Sequence, residues 1–470
     1  MNNSRRDFLK KAGLLSSAAI TLPALQNEVF ASPNFNMAGF AAPKIDKVKV
    51  AIIGLGQRGP GAVDRISYIE GADIVALCDR HPERVTKAQS ILTRKGLKEA
   101  TAYSGEDGWK TMLKNEELDL VYICTPWEYH APMAIEAMKS GAHAATEVPM
   151  GLTVSEIWEV VKTSEATKKH CMMLENCNYG DFEMITLNMV RQGLFGELIH
   201  AEGAYIHDLL DLNFSKTGYD RMWRLRENIK MNGNLYPTHG LGPIAHCMNI
   251  NCGDKMNHLV AMQSNDFMMG DHARQLASTD AFYNEFVGKR FRGNMDITLI
   301  KTEKGKTMMI QHDVTSPRPY SRIHLLSGTK AYAQKYPKET IAFGHEAVKD
   351  AELQKLFDKY APELIKFIGQ QAKQVGGHGG MDFIMDWRLI DCLRNGLPLD
   401  QTVYDGASWS AVVPLSVQSV AKNSRTVDIP DFTRGNWKTN KPHDLTLNGG
   451  GNTKIRPKVD TKKDVQLNVQ

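Results

Sequence analysis

Val48-Lys49-Val50-Ala51-Ile52-Ile53, followed at once by Gly54-Leu55-Gly56-Gln57-Arg58-Gly59, is the stretch on which the reading of this 470-residue chain turns. The first six residues are mostly apolar and β-branched, the composition of a parallel strand buried on both faces. The next six spell G-x-G-x-x-G. Each glycine has a task that a Cβ would prevent: a tight turn, close approach of backbone to a pyrophosphate, and close packing of helix on strand. The start of the following helix offers backbone N–H groups and a favourable dipole to the phosphates. A second buried run, Ile74-Val75-Ala76-Leu77-Cys78, ends in Asp79, where an acid holds a ribose 2′-hydroxyl. The glycines alone are compatible with a plain turn. Strand, helix, strand and terminal acid in register point instead to nucleotide binding. Asp79 would repel a 2′-phosphate, which favours NAD over NADP, with Arg80 next door pulling the other way.

Ahead of this unit, Ser4-Arg5-Arg6-Asp7-Phe8-Leu9-Lys10 reads as a twin-arginine export signal with an apolar stretch over 12–25. That stretch is too short for a membrane span, and cleavage after Ala31 makes residues 1–31 a signal peptide. The plainer alternative is a chance Arg-Arg pair before an apolar helix. Twin-arginine export carries proteins already folded, commonly with cofactor in place, so the expected location is periplasmic or otherwise exported. The seven cysteines are scattered, which suits buried thiols formed in a reducing compartment better than a disulfide framework. A net charge of +4 gives no reason to expect nucleic acid or an anionic membrane as partner. A loaded enzyme outside the cytoplasm must restore its cofactor in each turnover or meet an outside electron partner.

Residues 32–46 read as a linker. An NAD-binding Rossmann domain follows over 47–178, with further strands at 118–124, 143–147 and 171–174 and a capping box, Thr153-Val154-Ser155-Glu156, opening a helix that runs to Lys168. Ligands in such sheets gather beyond the carboxyl ends of the strands, so 125–130, Glu147, Val148 and Asn176 face one crevice. From about residue 181 the pattern changes to a helix (182–192) and strands at 199–206, 281–286, 295–301, 307–311 and 323–326, without intervening helices. This predicts a substrate-binding α+β domain over 179–436, built on a mixed, largely antiparallel open sheet whose exposed face would suit a homodimer. Helical stretches at 347–374 and 381–395 follow. Residues 437–470 read as a polar tail.

The second domain carries polar and aromatic clusters that a plain core does not need: Tyr205-Ile206-His207-Asp208, Trp223-Arg224, the turn-rich 234–243 with Tyr236, Pro237, Thr238 and His239, the rigid 316–320 ending in Tyr320, and 376–382 with its four glycines. A Tyr or His at a strand end is more often a core or rim residue than a catalytic one, and Trp223-Arg224 could simply stack on the surface. His207, His239 and His246 suggest a metal only weakly, because no compact ligand spacing exists, and no metal is expected. His239 is the better catalytic candidate, since Pro237 and the following glycines shape a loop that no helix or strand requires.

Taken together, the export signal, G-L-G-Q-R-G, T-P-W-E-Y-H, E-V-P, L-E-N, Y-I-H-D, W-R, Y-P-T-H-G-L-G-P, P-R-P-Y and G-H-G-G-M-D resemble glycoside hydrolase family 109. That family comprises NAD-dependent α-N-acetylgalactosaminidases within the glucose-fructose oxidoreductase/inositol dehydrogenase superfamily. The resemblance runs from about residue 47 to 437. It implies cofactor contacts at Gln57, Arg58, Asp79, Trp127, Glu128, Tyr129, His130, Glu147, Val148 and Asn176. It implies substrate contacts at Tyr205, Arg224, Tyr236, Pro237, Thr238, His239 and Tyr320, and a glycan substrate ending in N-acetylgalactosamine. Sugar dehydrogenases of the superfamily usually carry E-K-P, whose lysine assists the oxidised hydroxyl. Here the stretch is Glu147-Val148-Pro149, so another acid/base group is needed: His239, with Tyr236 or Tyr205 as partner. The implied reaction oxidises C3 transiently, removes the C2 proton, eliminates the C1 substituent, adds water and reduces C3 again, with no net redox. The alternative is an exported NAD(P)-dependent sugar oxidoreductase of the glucose-fructose oxidoreductase type.

Overall fold

A computed structural model describes residues 35–457, so the export signal expected over 1–31 and the last thirteen residues of the tail lie outside the described residues. Six parallel strands, β1 (Val48–Ile53), β2 (Ala72–Asp79), β3 (Thr101–Ser104), β4 (Leu120–Ile123), β5 (His143–Thr146) and β6 (Cys171–Met173), stand in the order β3-β2-β1-β4-β5-β6. β4 and β5 are buried throughout and β1 at all but Lys49, as apolar runs covered on both faces require. The strand order reverses between β1 and β4, so the crevice beyond their carboxyl ends is the ligand position of a doubly wound sheet. The expected capping box is present: Glu156 N–H donates to Thr153 Oγ1 at 3.1 Å, and Thr153 N–H donates to Glu156 Oε2 at 3.0 Å.

A second sheet has nine strands: β7 (Leu198–Ile206), β8 (Met256–Gln263), β9 (Asp296–Thr302), β10 (Thr307–Asp313), β11 (Leu325–Gly328), β12 (Ala331–Gln334), β13 (Thr340–Phe343), β14 (Glu346–Ala347) and β15 (Val427–Asp428). Their order is β14-β13-β12-β11-β7-β10-β9-β8-β15, antiparallel except for the parallel β7–β10 pair. β9 alternates strictly between buried and exposed, the mark of a sheet covered on one face. Its outward residues Ile297 and Leu299, with Ile199 on β7 and Met262 on β8, leave apolar side chains exposed.

Two expected elements are different in kind. Residues 281–286, expected as a strand, form a 3₁₀ turn: Asp280 accepts from Phe282 N–H, and Tyr283 and Phe286 pack with Phe214. The 234–243 stretch, expected as a loop, runs into the helix Thr238–Cys247 with Pro237 at its N-cap. The C-terminal helices settle the return of the chain. Met381–Asn395 packs on β1 and on the helix Arg58–Ile66, so Phe383, Trp387 and Ile390, with Leu364 and Ile368, complete the core of the first sheet. Val403–Ala421, unassigned from sequence, lies between β6 and β8 and so touches both sheets. The described part of 32–46 is packed rather than free: Met37 is buried, and its N–H donates to Tyr404 Oη. Thr453 bonds Asp391, and Ile455 bridges Ile69. Among the described residues no helix is long and apolar enough to cross a membrane.

Candidate active site

The three fingerprint glycines are distinguished by what a Cβ would meet. Gly54 has φ +88°, and its Cβ would lie 2.7 Å from the carbonyl of Cys124 at the end of β4. At Gly59 a Cβ would lie 2.0 Å from Gly54 O, inside the loop itself. Gly56 is different: the nearest heavy atom is Arg84 Nη1 at 3.8 Å, so its missing side chain leaves space rather than relieving a clash. A loop closed by two packed glycines and open at the third is a cradle that fits a pyrophosphate. Asp79, closing β2, accepts from Leu55 N–H at 2.6 Å and from His81 N–H at 2.9 Å, and its carboxylate retains lone pairs for a ribose hydroxyl. Gln57 donates to Gly218 O at 2.6 Å, tying the glycine loop to the second sheet's side of the crevice.

Arg58 is held by two acids, donating to Glu147 Oε1 at 2.8 Å and to Asp382 Oδ2 at 3.1 Å. Asp382 also takes Asn176 Nδ2 at 2.6 Å, His378 Nδ1 at 2.9 Å and Arg65 at 3.4 Å. Burial would raise its carboxyl pKa, but Arg58 and Arg65 hold it well below the usual range. Of the glycines of 376–380, Gly377 packs on this hub: its Cβ would lie 2.7 Å from Asp382 Cβ. Of the other expected cofactor residues, Trp127 is buried, Glu128 is exposed and Tyr129 is half-buried. Val148 is buried behind Glu147. The His130 side chain is internal, its ring nitrogens facing Pro149 O at 2.7 Å and Thr125 O at 2.8 Å, so it ties two crevice loops together.

Opposite, the end of β7 and the first turn of Thr238–Cys247 form a second wall. Gly240, directly after His239, lets that helix touch β7 backbone to backbone: a Cβ on Gly240 would lie 2.2 Å from Ala204 N, and one on Gly203 2.3 Å from Gly240 O. This contact brings His239 to Glu175, at the exit of β6, with Nδ1 2.7 Å from Oε1. Glu175 is fully buried, which alone would raise its pKa. His239 and the Cys177 N–H override burial and hold it below the usual carboxylate range. The ionised carboxylate only accepts, so the proton sits on His239 Nδ1 and the lone pair of the neutral ring on Nε2.

Aromatic rings surround the histidine. Tyr236 lies 4.8 Å and Tyr205 5.3 Å from it, centroid to centroid, and the two tyrosines are 4.6 Å apart. Tyr205 Oη pairs with His207 Nδ1 at 3.0 Å, and Tyr320 stands edge-on to His207 at 5.0 Å. Burial pushes the Tyr205 phenol up to about 12 against the pull of Arg224, and pushes Tyr236 up as well, so both remain protonated at neutral pH. Arg224 donates to Tyr219 Oη at 2.9 Å and is enclosed by Trp127, Trp223, Tyr219 and Tyr236, with its carbon 4.9–5.4 Å from each ring centre. Pro237 and Thr238 are buried beneath this wall.

The structure thus brings the expected substrate residues together and adds two that sequence reasoning gave no role of their own, Glu175 and Asp382. It also sets His207, weighed from sequence only as a metal ligand, against Tyr205. L-E-N and G-H-G-G-M-D were in view as motifs, but nothing local marks Glu175 as the partner of a residue 64 positions on. Among the described residues, Glu175, Cys177 and His239 have potential ligand atoms within 4.8 Å of one another. Arg322 donates to Cys177 Sγ at 2.6 Å, placing a positive charge where a cation would need to sit.

Comparison with known proteins agrees with this geometry. The family described as "Glycosyl hydrolase 109, C-terminal domain" matches residues 179–439, and "Oxidoreductase family, NAD-binding Rossmann fold" matches residues 48–175. A glycosyl hydrolase family 109 protein of Shewanella pealeana is 46% identical over 458 residues, covering 94% of this chain and 99% of its own. A protein of Shewanella oneidensis named alpha-N-acetylgalactosaminidase is also 46% identical, over 457 residues, covering 94% and 98%. Among solved structures, levoglucosan dehydrogenase in complex with NADH has a TM-score of 0.62 at 18% identity, covering 82% of this chain and 100% of that one. Scyllo-inositol dehydrogenase from Lactobacillus casei reaches 0.57 at 15%, covering 82% and 99%. At such identities the likeness is one of fold.

Proposed function

This chain belongs to glycosyl hydrolase family 109, an NAD-dependent glycoside hydrolase family, and on that premise we propose that it releases terminal α-linked N-acetylgalactosamine from glycans by way of a transient C3 ketone. The observation that carries the proposal is the Glu175–His239 pair set among protonated tyrosines, opposite an NAD-binding crevice and without the lysine of a sugar dehydrogenase.

The glycine cradle, Asp79 and the Arg58–Glu147–Asp382–Asn176 network would hold the dinucleotide. When bound, NAD supplies a reversible hydride acceptor for C3 of the terminal sugar, which is why no oxidant is consumed. His239 Nε2 is the leading base, taking the C3 hydroxyl proton as that carbon is oxidised and, once that proton has passed to solvent, the C2 proton that the new carbonyl acidifies. Glu175 fixes its tautomer and balances the imidazolium that forms. Loss of the C2 proton expels the C1 substituent, which Tyr236 or Tyr205, kept protonated by burial, protonates as the partner acid. Water then adds at C1 and returns a proton to the tyrosine, C2 is reprotonated from His239, and C3 is reduced back to the alcohol. Help of this kind is worth about 10²–10⁴-fold. Arg224 and Tyr320 orient the ring. Export as a folded, loaded enzyme fits this reading, because the cofactor ends each turnover as it began.

The test is an aryl α-N-acetylgalactosaminide. Release of the aryl alcohol without accumulation of NADH supports the proposal, and oxidised sugar without cleavage refutes it. His239→Ala is expected to abolish release while the purified protein still carries NAD. Undiminished turnover in that variant removes His239 from the mechanism.

A further inference from the structure

The acid closing β2 is normally the residue that decides between NAD and NADP, and a neighbouring arginine reverses the choice by pairing with the 2′-phosphate. Here both are present, with Arg80 and His81 directly after Asp79 and Arg84 in the first turn of the helix that follows. All three basic side chains are already engaged, and by a residue of the second domain. Asp220 accepts from Arg80 Nη1 at 3.3 Å and from Arg84 Nη2 at 3.1 Å, and pairs with His81 Nε2 at 3.0 Å. Arg80 pairs as well with Glu106, and Arg84 lies 3.6 Å from Asp79.

Asp220 reaches this position on a strap, residues 215–222, between the short helix Leu210–Phe214 and the helix Trp223–Lys230. The strap is anchored along its length. Gly218 O takes the Gln57 amide, Gly218 N–H donates to Ser215 Oγ at 2.9 Å, and Tyr219 takes the Arg224 guanidinium. Arg221 and Met222, with no glycine to ease the turn, both sit at φ +51°. Left-handed backbone at two successive side-chain-bearing residues persists only where its surroundings hold it. Asp220 itself is mostly buried, with 19% of its side chain exposed. Burial would raise its pKa, but Arg84, Arg80 and His81 together keep it ionised below the usual range.

We infer that Asp220 is a second cofactor-selectivity residue: by occupying Arg80, His81 and Arg84 from the strap, it denies a 2′-phosphate the cations that would otherwise bind it. Asp79 repels the phosphate directly, and Asp220 removes its partners. The inference rests on the NAD reading of the crevice and not on the hydrolytic chemistry, so nucleotide binding is measured with no sugar present.

Full-length wild-type protein and Asp220→Asn are equilibrated with mixtures of NAD and NADP, freed of unbound nucleotide and denatured, and the two nucleotides retained are quantified by chromatography. Releasing a charged hydrogen-bonding partner for the phosphate is worth about ten- to a hundredfold in affinity, so the retained NADP:NAD ratio is expected to rise by that factor. In the Asp220→Asn background, Arg80→Ala with Arg84→Ala is expected to return the ratio toward the wild-type value. A ratio within twofold of wild type in Asp220→Asn overturns the inference. So does a rise that survives loss of both arginines, because the freed cations are then not its cause. If Asp220→Asn gives no folded protein, Asp220→Ser carries the same expectations. Loss of glycosidase activity with an unchanged ratio counts against the inference alone, and a risen ratio in a protein that cleaves no glycoside counts against the proposed function alone.

Discussion

Glu175→Gln isolates the residue that the geometry makes indispensable and the sequence left unnoticed. The substitution keeps the shape of a side chain that is completely buried and removes its charge. One loss follows, that of the charge. Glu175 Oε1 accepts from both His239 Nδ1 and the Cys177 N–H, so the glutamine carbonyl takes that place and the Nδ1–H tautomer is kept. The charge-assisted bond at 2.7 Å is worth about 1.5–3 kcal/mol to the imidazolium that forms as the proton is taken, so kcat is expected to fall roughly ten- to a hundredfold. Arg58, Glu147 and the glycine loop are untouched, so bound NAD is expected at wild-type stoichiometry, and KM for an aryl glycoside within a few-fold. Steady-state release of the aryl alcohol, read beside the nucleotide content of the same preparation, checks both. A kcat within threefold of wild type in a nucleotide-loaded variant would falsify the charge-balancing role of Glu175 and, with it, the assignment of Nε2 as the base.

Gly56→Ala and Gly59→Ala are expected to fail differently. The first meets only the end of Arg84, so the protein folds and loses NAD, whereas the second places a Cβ on Gly54 O and lowers the melting temperature as well; equal melting and equal nucleotide loss would remove the distinction. Glu183, buried against Arg322 at 2.9 Å and Lys335 at 2.7 Å, has its pKa depressed to about 2 by those cations despite burial. A depressed acid contributes stability that is complete above its unfolded value of about 4.3 and is lost as pH falls toward 2, here about 3 kcal/mol. Wild type is therefore expected to lose more stability than Glu183→Gln between pH 5 and pH 2.5 in thermal melts, and parallel profiles would contradict it. The exposed Ile199, Met262, Ile297 and Leu299 on the open face of the second sheet lead to the expectation of a homodimer. Sedimentation is expected to show wild type as a dimer and Leu299→Glu as a monomer, and a monomeric wild type ends that expectation.

What could be read in the sequence was what local pattern encodes. The glycine fingerprint needs its residues within one turn of chain, and β1, β2 and Asp79 stand where the pattern put them. Thr153 and Glu156 cap their helix for the same reason. What escaped was set by contacts distant in sequence. Gly240 and Gly242 look like turn residues until the helix is packed, where a Cβ on Gly240 would strike Ala204 of β7 and one on Gly242 would lie 2.9 Å from the Glu175 side chain; the glycines mark a helix in close contact, not a loop. Val403–Ala421 is buried nearly all round and so shows no amphipathic period to find. Residues 281–286 carry the aromatic content of a strand, yet Asp280 caps them into a 3₁₀ turn. His239 was legible as a candidate by its chemistry, but its partner Glu175 became visible only when β6 and the His239 helix were seen to meet.

The central claim is that C3 must become a carbonyl before the glycosidic bond can leave. Aryl α-N-acetylgalactosaminides blocked at that carbon, 3-deoxy or 3-O-methyl, test it directly beside the unmodified compound. The account predicts no release of aryl alcohol from either blocked substrate while the unmodified one is cleaved. Cleavage of a blocked substrate at the unmodified rate would contradict it.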